Sequence, residues 1–105
     1  MDYNFGDSVQ ALKKGKRIAR RGWNGKNMFV FQQIPSVIPK DVVPNMQSLP
    51  QSVKDYFQKK FDDPNEQITT ITYSNQMAIV SGSNLINGWA PSSSDTLAED
   101  WVILD

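Results

Sequence analysis

The sequence predicts an α+β fold, an antiparallel β-sheet with an N-terminal helix and a second helix in a long insertion. Apolar residues recur at helical spacing in two places, near the N-terminus and at residues 53–61. Short runs rich in β-branched and aromatic residues, separated by turn-forming residues, fill most of the remaining chain. Few helices and several short strands favour an antiparallel sheet with the helices packed on one face.

The first predicted element is a short amphipathic helix. Asn4 is a good N-cap, and Phe5, Val9 and Leu12 fall on one face of the helix that follows. A basic last turn and Gly15 then predict its end, since glycine readily adopts the left-handed conformation found beyond a helix C-terminus.

Two strands are predicted next, at residues 16–21 and 28–33. The Asn-Gly pair between them indicates a β-hairpin. Trp23 is thereby placed on a turn with no evident core to enter, so it needs a neighbour: a second subunit, another loop or the ring of a ligand. Arg20 and Arg21 point to opposite faces of the strand before it.

Residues 34–67 form the predicted insertion. Four prolines in its first part indicate a long irregular connection, because each removes a backbone donor and restricts the residue before it. A helix then follows, opened by a capping-box pattern at Ser48 and Gln51. Its packed face comprises Val53, Tyr56, Phe57 and Phe61. The insertion could be a covering flap, an oligomer contact or simply part of the scaffold.

The last third is predicted to be β-structure, with strands at 68–73, 77–81, 85–90 and 102–104. A segment with a tryptophan at each end, Trp89 and Trp101, precedes the final strand. Thr96 and Glu99 fit a capping box, which predicts one helical turn starting at this point. The segment could hold an anion or a sugar hydroxyl, or it could be a capped turn between strands.

Length and composition restrict the function. At 105 residues the chain is expected to be a single domain, residues 1–105, and eleven basic residues balance eleven acidic ones. A neutral chain without long charge runs argues against general DNA, RNA or membrane-surface binding. The sequence has no cysteine and no histidine, which excludes disulfides, thiolate nucleophiles and the usual zinc sites. We expect a soluble cytoplasmic protein that needs no cofactor.

The remaining chemistry favours binding over catalysis. Asp95, Glu99 and Asp100 could hold a hard metal ion, but carboxylates near a helix start more often serve as caps. The alternative is a site in which aromatic rings stack on a base while charged and polar side chains bind phosphates and hydroxyls. A chain this small has little room to bury a nucleotide, so a pocket between subunits is the expected solution.

The two ends of the chain resemble one family. The N-terminal block comprises the run from Asn4-Phe5-Gly6 through Ala11-Leu12, then Gly15-Lys16, the run from Ala19 to Lys26, and Met28-Phe29. The C-terminal block comprises Trp89 to Ser92, Asp95 and Leu97 to Trp101. Together these blocks, which cover somewhat under half of the chain, resemble the opening and closing motifs of the Thoeris anti-defense 2 proteins of phages and prophages. The chain differs from the shortest family members in its middle, at residues 34–67.

The resemblance implies a non-catalytic sponge that sequesters a cyclic nucleotide immune signal, above all glyco-cyclic ADP-ribose, and so keeps the Thoeris effector inactive. It also implies a homo-oligomer, typically a tetramer, with ligand pockets at subunit contacts. By the same resemblance, Phe5 and Trp23 would pack on the adenine, Trp89 is a further candidate, and Trp101 belongs to the core. The residues implied to face ribose hydroxyls or phosphates are Arg20, Asn24, Ser92, Ser94 and Asp95.

Three other functions remain open at this stage. The ligand could be a cyclic oligonucleotide signal of another defence system, as reported for some family members. The protein could instead be a metal-dependent hydrolase of the signal, with Asp95, Glu99 or Asp100 on the metal. It could also be a structural module whose tryptophan-bearing turns only make subunit contacts.

Overall fold

A computed structural model describes residues 1–23 and 27–105. Its three α-helices are α1 (Phe5–Lys13), α2 (Gln51–Asp62) and α3 (Ser93–Leu97). Its strands are β1 (Ile18–Arg20), β2 (Phe29–Gln33), β3 (Ser36–Pro39), β4 (Thr70–Tyr73), β5 (Gln76–Val80), β6 (Ile86–Gly88) and β7 (Trp101–Ile103). All strand pairs are antiparallel, which confirms the predicted α+β class. Within the described ranges, no helix has the length and apolarity needed to span a bilayer.

The chain divides into two compact units. The first comprises Met1–Ile34 and Asn75–Asp105, and the second comprises Pro35–Ser74. We refer to them as the sheet unit and the inserted unit. The predicted insertion at 34–67 overlaps the inserted unit, which also includes β4.

Helix α1 opens the sheet unit as predicted. The side chain of Asn4 accepts a hydrogen bond of 2.8 Å from the backbone N–H of Asp7, which satisfies one of the unpaired donors at the helix start. Beyond its C-terminus, Gly15 has a φ of 86°, a left-handed conformation that costs glycine little. The buried residues Ala11 and Leu12 face the core.

The five strands of the sheet unit lie in the order β6-β5-β2-β1-β7. The predicted antiparallel pairing of β1 with β2 is confirmed, although the Asn-Gly turn falls on residues 24–26, outside the described residues. Ile18 in β1 is the register partner of both Val30 and Ile103. Ile18, Val30 and Trp101 are fully buried with Ala11 and Leu12 of α1, so the core lies between α1 and the sheet.

The inserted unit has a two-stranded sheet, β3 with β4, and a core of Val43, Phe61 and Ile71. One prediction is wrong here, because the stretch expected to be irregular contains β3. The strand predicted at 68–73 is present as β4, and it pairs with β3 and not with a strand of the five-stranded sheet. An isolated two-stranded sheet is marginally stable in water, so packing against other elements is needed to hold it.

Helix α2 was predicted in the right place with the wrong cap. Its N-cap is Pro50, which makes no side-chain cap bond, so Ser48 does not open the helix. Pro50 fits this position because its φ of −61° is the value that the proline ring imposes and its ψ of 154° is extended, as at an N-cap. Phe61 is buried and Phe57 is half-buried as expected, whereas Tyr56 is exposed.

Candidate functional site around Trp101

The fully buried Trp101 is the centre of an aromatic cluster in the sheet unit. The ring centroid of Trp101 lies 5.3 Å from that of Phe5, 5.7 Å from that of Trp23 and 6.0 Å from that of Trp89. The two tryptophan neighbours meet Trp101 edge to face, an arrangement that aromatic quadrupoles favour. Three distant parts of the chain thus bring their rings together around one buried indole.

The strand register explains why Trp101 occupies this position. It is the register partner of Arg20, and its backbone exchanges hydrogen bonds of 2.8 and 3.1 Å with Tyr3. The indole N–H donates to the backbone oxygen of Asp95 at 2.9 Å, so the buried donor is satisfied. These bonds fix the orientation of the ring as well as its depth.

Arg20 lies between two carboxylates beside this cluster. Its Nη1 contacts Asp95 Oδ1 at 2.9 Å, and its Nε contacts Asp100 Oδ1 at 2.7 Å. The guanidinium carbon also lies 5.9 Å from the centroid of the Trp101 ring, within cation–π distance. One cation between two anions leaves this group of three side chains with a net negative charge.

Asp95 serves at the same time in the cap of helix α3. Ser92 is the N-cap: its Oγ accepts from the Asp95 N–H at 3.1 Å, and the Asp95 carboxylate accepts from the Ser92 N–H at 3.0 Å. The capping box was therefore predicted at the wrong residues, because Thr96 lies inside the helix and Glu99 lies beyond its end.

The charged groups of the site have shifted pKa values. Burial raises the pKa of Asp95, but hydrogen bonds from Ser92 and Arg20 outweigh it and leave the pKa below its usual value. The pKa of Arg20 is raised, first by the hydrogen bond to Asp100 and then by that to Asp95. Asp95 is therefore held as an anion.

The structure brings some of the predicted site residues together and not others. Phe5, Arg20, Trp23, Trp89 and Asp95 come together around Trp101. Ser92 is used in the helix cap, Ser94 is exposed on α3, and Asn24 lies outside the described residues.

The prediction that Trp23 has no core to enter is wrong. It is half-buried in a short 3₁₀ helix, Arg21–Trp23, and packs on the core through Trp101.

A cleft of about 250 Å³ opens beside Trp23. It is lined by Ala19, Arg20, Arg21, Trp23, Asn27, Met28, Val102 and Leu104. Arg21 in this cleft is ion-paired with Asp2. The sequence reasoning missed the apolar lining from β7, although the alternation of β1 and β7 residues could have indicated it.

The sequence indicated Asp100 as a candidate carboxylate for a metal ion or for acid/base chemistry, whereas in the structure it holds Arg20. Asp95 and Glu99 do not share a helical face, because α3 ends at Leu97. Among residues 1–23 and 27–105, no group of three or more acidic side chains is arranged to hold a metal ion.

Two comparisons with known proteins point to the same family. Residues 3–104 match the model of the Thoeris anti-defense 2-like domain. The chain is also 34% identical over 101 residues to Thoeris anti-defense 2 of Bacillus phage SP01, covering 96% of this chain and 93% of that protein. The match spans both units as well as the two terminal blocks. On this evidence, the chain belongs to the Thoeris anti-defense 2-like family.

Proposed function

We propose that this protein binds a cyclic ADP-ribose-type messenger, of which glyco-cyclic ADP-ribose is the leading candidate, and sequesters it without cleaving it. Acting in the host cytoplasm, it would thereby prevent activation of the Thoeris effector. The observation that supports this most is the convergence of Phe5, Trp23 and Trp89 with the Arg20–Asp95 pair around Trp101.

The aromatic part of the site suits a flat base. Trp23 lines the cleft while its ring packs nearly perpendicular to that of Trp101, so it is anchored before any ligand arrives. Anchored rings lose little conformational entropy on binding, which favours affinity. Stacking contributes about 1–3 kcal/mol per base, so the remaining affinity must come from the polar contacts.

The polar part of the site suits ribose hydroxyls better than phosphates. Asp95 and Asp100 already neutralise Arg20, and the three groups together are negative. Carboxylates accept hydrogen bonds from hydroxyl groups and repel phosphates. We assign the hydroxyl contacts to Asp95 and Asp100, which hold Arg20 beside the Trp101 cluster, and a phosphate contact to Arg21, which lines the cleft beside Trp23.

The size of the cleft supports a homo-oligomer, with a tetramer as the proposed assembly. At about 250 Å³ the cleft is below the range of about 300–1,000 Å³ typical of small-molecule pockets. A neighbouring subunit that closes the cleft would supply the missing enclosure.

A sponge needs no catalytic group, because it binds the ground state of its ligand and has no transition state to stabilise. The carboxylates of the site are held by Arg20 and by the Ser92 cap, which leaves neither poised as a general acid or base. These contacts favour a binding role over a catalytic one.

Calorimetry with Trp23→Ala tests the proposal. We expect affinity for glyco-cyclic ADP-ribose to fall by more than about tenfold, equivalent to about 1.4 kcal/mol, because one stacking face is lost. Leu85→Ala, at an exposed residue next to β6, is the control and should keep its affinity. Unchanged affinity in Trp23→Ala would remove this ring from the site.

Heat denaturation of the complex separates a sponge from an enzyme. A sponge releases intact messenger, whereas a hydrolase releases a product. A panel that includes cyclic oligonucleotides identifies the ligand class. If no cyclic nucleotide raises the melting temperature, the proposed function is wrong.

A further inference from the structure

The two-stranded sheet of the inserted unit has two outer edges that differ in chemistry. Strands β3 and β4 pair antiparallel, with Val37 opposite Thr72 and Pro39 opposite Thr70. Just beyond the pair, the backbone N–H of Lys40 donates to the oxygen of Thr69 at 2.9 Å. Antiparallel pairs alternate between those that exchange hydrogen bonds and those that do not, so this bond fixes the alternation along the sheet.

The alternation places specific backbone groups at each edge. Residue pairs an even number of positions from Lys40 and Thr69 exchange backbone hydrogen bonds across the sheet. The pairs at Pro39 and Val37 lie an odd number of positions away and exchange none. The N–H and C=O groups of Thr70 and Thr72 therefore point away from β3, towards the edge of β4 that pairs with no strand in the described part of the chain.

The outer edge of β3 is poor in donors. Backbone groups point outward at every second residue of this strand, so the outward positions of β3 and the residue before it are Pro35, Val37 and Pro39. Two of the three are prolines, which have no N–H to offer. Proline on an edge strand is a common protection against pairing with another chain.

The outer edge of β4 lacks such protection. Thr70 and Thr72 are exposed and carry both donor and acceptor groups. From Gln67 to Gln76 the chain has no charged side chain and no proline, the residues that usually block an edge. An apolar groove of about 450 Å³ lies beside the same strand, with Tyr56, Ile68 and Tyr73 in its lining.

We propose that β4 is an assembly edge at which a second copy of this chain pairs antiparallel with its own β4. About a twofold axis at Ile71, Thr70 of one copy lies opposite Thr72 of the partner subunit, and the reverse. Each pair exchanges two backbone hydrogen bonds, giving four in all, and the two short sheets become one of four strands.

The edge chemistry fits a second copy better than a different partner. An uncharged strand has no side chain with which to select a basic or acidic segment. The antiparallel twofold arrangement, by contrast, brings outward donors onto outward acceptors by symmetry. It also places threonine opposite threonine on the exposed face, a favourable cross-strand pair.

This inference names one contact of the homo-oligomer in the proposed function, but it rests on the edge geometry alone. A protein that binds the messenger while the Thr72 amide stays unprotected would overturn only the edge pairing. A protein that assembles through β4 and binds no cyclic nucleotide would overturn only the proposed function.

The test compares two proline variants at register partners. Thr72→Pro removes an outward donor from β4, and Val37→Pro removes an outward donor from β3. We expect the mass of the assembly in solution, measured by light scattering, to fall by half for Thr72→Pro and to stay unchanged for Val37→Pro. A monomeric wild-type protein, an unchanged mass for Thr72→Pro, or a halved mass for Val37→Pro would each overturn the proposal.

Amide hydrogen exchange on the unmodified protein gives a readout that does not depend on how a variant folds. The amides of Thr70 and Thr72 have no acceptor within their own sheet, so we expect exchange at least about tenfold slower in the assembly than after dilution. The outward amide of Val37 serves as the control and should not respond to dilution. Concentration-independent exchange at Thr70 and Thr72 would rule out this edge.

Discussion

The Trp101 cluster of the sheet unit and the core of the inserted unit satisfy their polar groups differently. The Trp101 indole donates to Asp95, and the hydroxyl of the fully buried Ser8 donates to the Asn4 carbonyl at 3.1 Å. In the inserted unit, the Tyr73 hydroxyl is shielded from solvent and has no partner among the described residues. Directional bonds fix the rings of the first cluster, whereas apolar packing dominates the second core.

The difference indicates where an accurate binding site can form. Site residues must be held by contacts other than those they make with ligand, so that little order is lost on binding. The sheet unit meets this condition, because Arg20, Asp95 and Trp101 hold one another without a ligand. Substitutions that remove these mutual contacts should therefore lower the stability of the sheet unit.

The largest effect is expected from Trp101→Ala. Removing a fully buried indole should lower the free energy of unfolding by about 3–5 kcal/mol, since transfer and cavity costs add. Urea denaturation followed by circular dichroism measures the loss. The exposed Leu85→Ala serves as the control, with a change within about 0.5 kcal/mol. A loss below about 1 kcal/mol for Trp101→Ala would mean that the cluster does not organise the unit.

A smaller loss is expected from Asp95→Asn. This change weakens the bonds to Arg20 and to the Ser92 N–H, at a cost of about 1–3 kcal/mol for hydrogen bonds to a charged group. Asp105→Asn is the matched control, because that carboxylate also pairs with an arginine, Arg17, but has a side chain 74% exposed against 16% for Asp95. Exposed pairs contribute about 0–1 kcal/mol. Equal losses in the two variants would contradict the difference in burial.

The contribution of the Asp95 carboxylate should also appear in the pH dependence of wild-type stability. Because the pKa of Asp95 is lower in the folded state, its contribution is complete above the unfolded value of 3.8 and is lost as the pH falls through the folded pKa. Urea titrations below pH 3.8 should therefore show a steeper loss of stability in the wild type than in Asp95→Asn. Identical slopes would exclude the contribution of Asp95.

The smallest effect, and the only gain, is expected in the inserted unit. Tyr73→Phe removes a buried hydroxyl that has no partner among residues 1–23 and 27–105, so stability should rise by about 1 kcal/mol. Tyr56→Phe is the control, since the Tyr56 side chain is exposed and its hydroxyl reaches water in both states. A loss of stability in Tyr73→Phe would show that the hydroxyl has a partner in solution.

Local features of this chain could be predicted from its sequence. The start of α1 at Asn4 and its end near Gly15 depend on residues within one helical turn. The antiparallel pairing of β1 and β2 was indicated by the Asn-Gly pair that lies between them in sequence. In each case the sequence signal lies close to the element that it predicts.

The errors have non-local causes. Residues 92–99 offer two overlapping capping patterns, and the structure uses Ser92 with Asp95, whose backbone oxygen also accepts from Trp101. Trp23 finds its core neighbour 78 positions away in sequence, at Trp101. Strand β3 was missed because Pro39 indicated an irregular segment, although its missing N–H would point away from β4 and is not needed for pairing.

Of the predicted site, the sequence could indicate the residue types but not their partners. Five of the eight residues gather around Trp101, and Asp100 joins them by bonding Arg20. That ion pair follows from the register of β1 with β7, which apolar patterning alone does not set.

The way the inserted unit leaves and rejoins the sheet unit has a consequence for variation in length. Gln33 and Gln76 are register partners at the ends of β2 and β5, and their side chains share a hydrogen bond of 2.9 Å. The segment between β2 and β5 thus begins and ends at one pair of register partners, where a hairpin turn of two residues would also fit. Relatives can therefore lengthen, shorten or exchange this segment while every strand of the larger sheet keeps its neighbours.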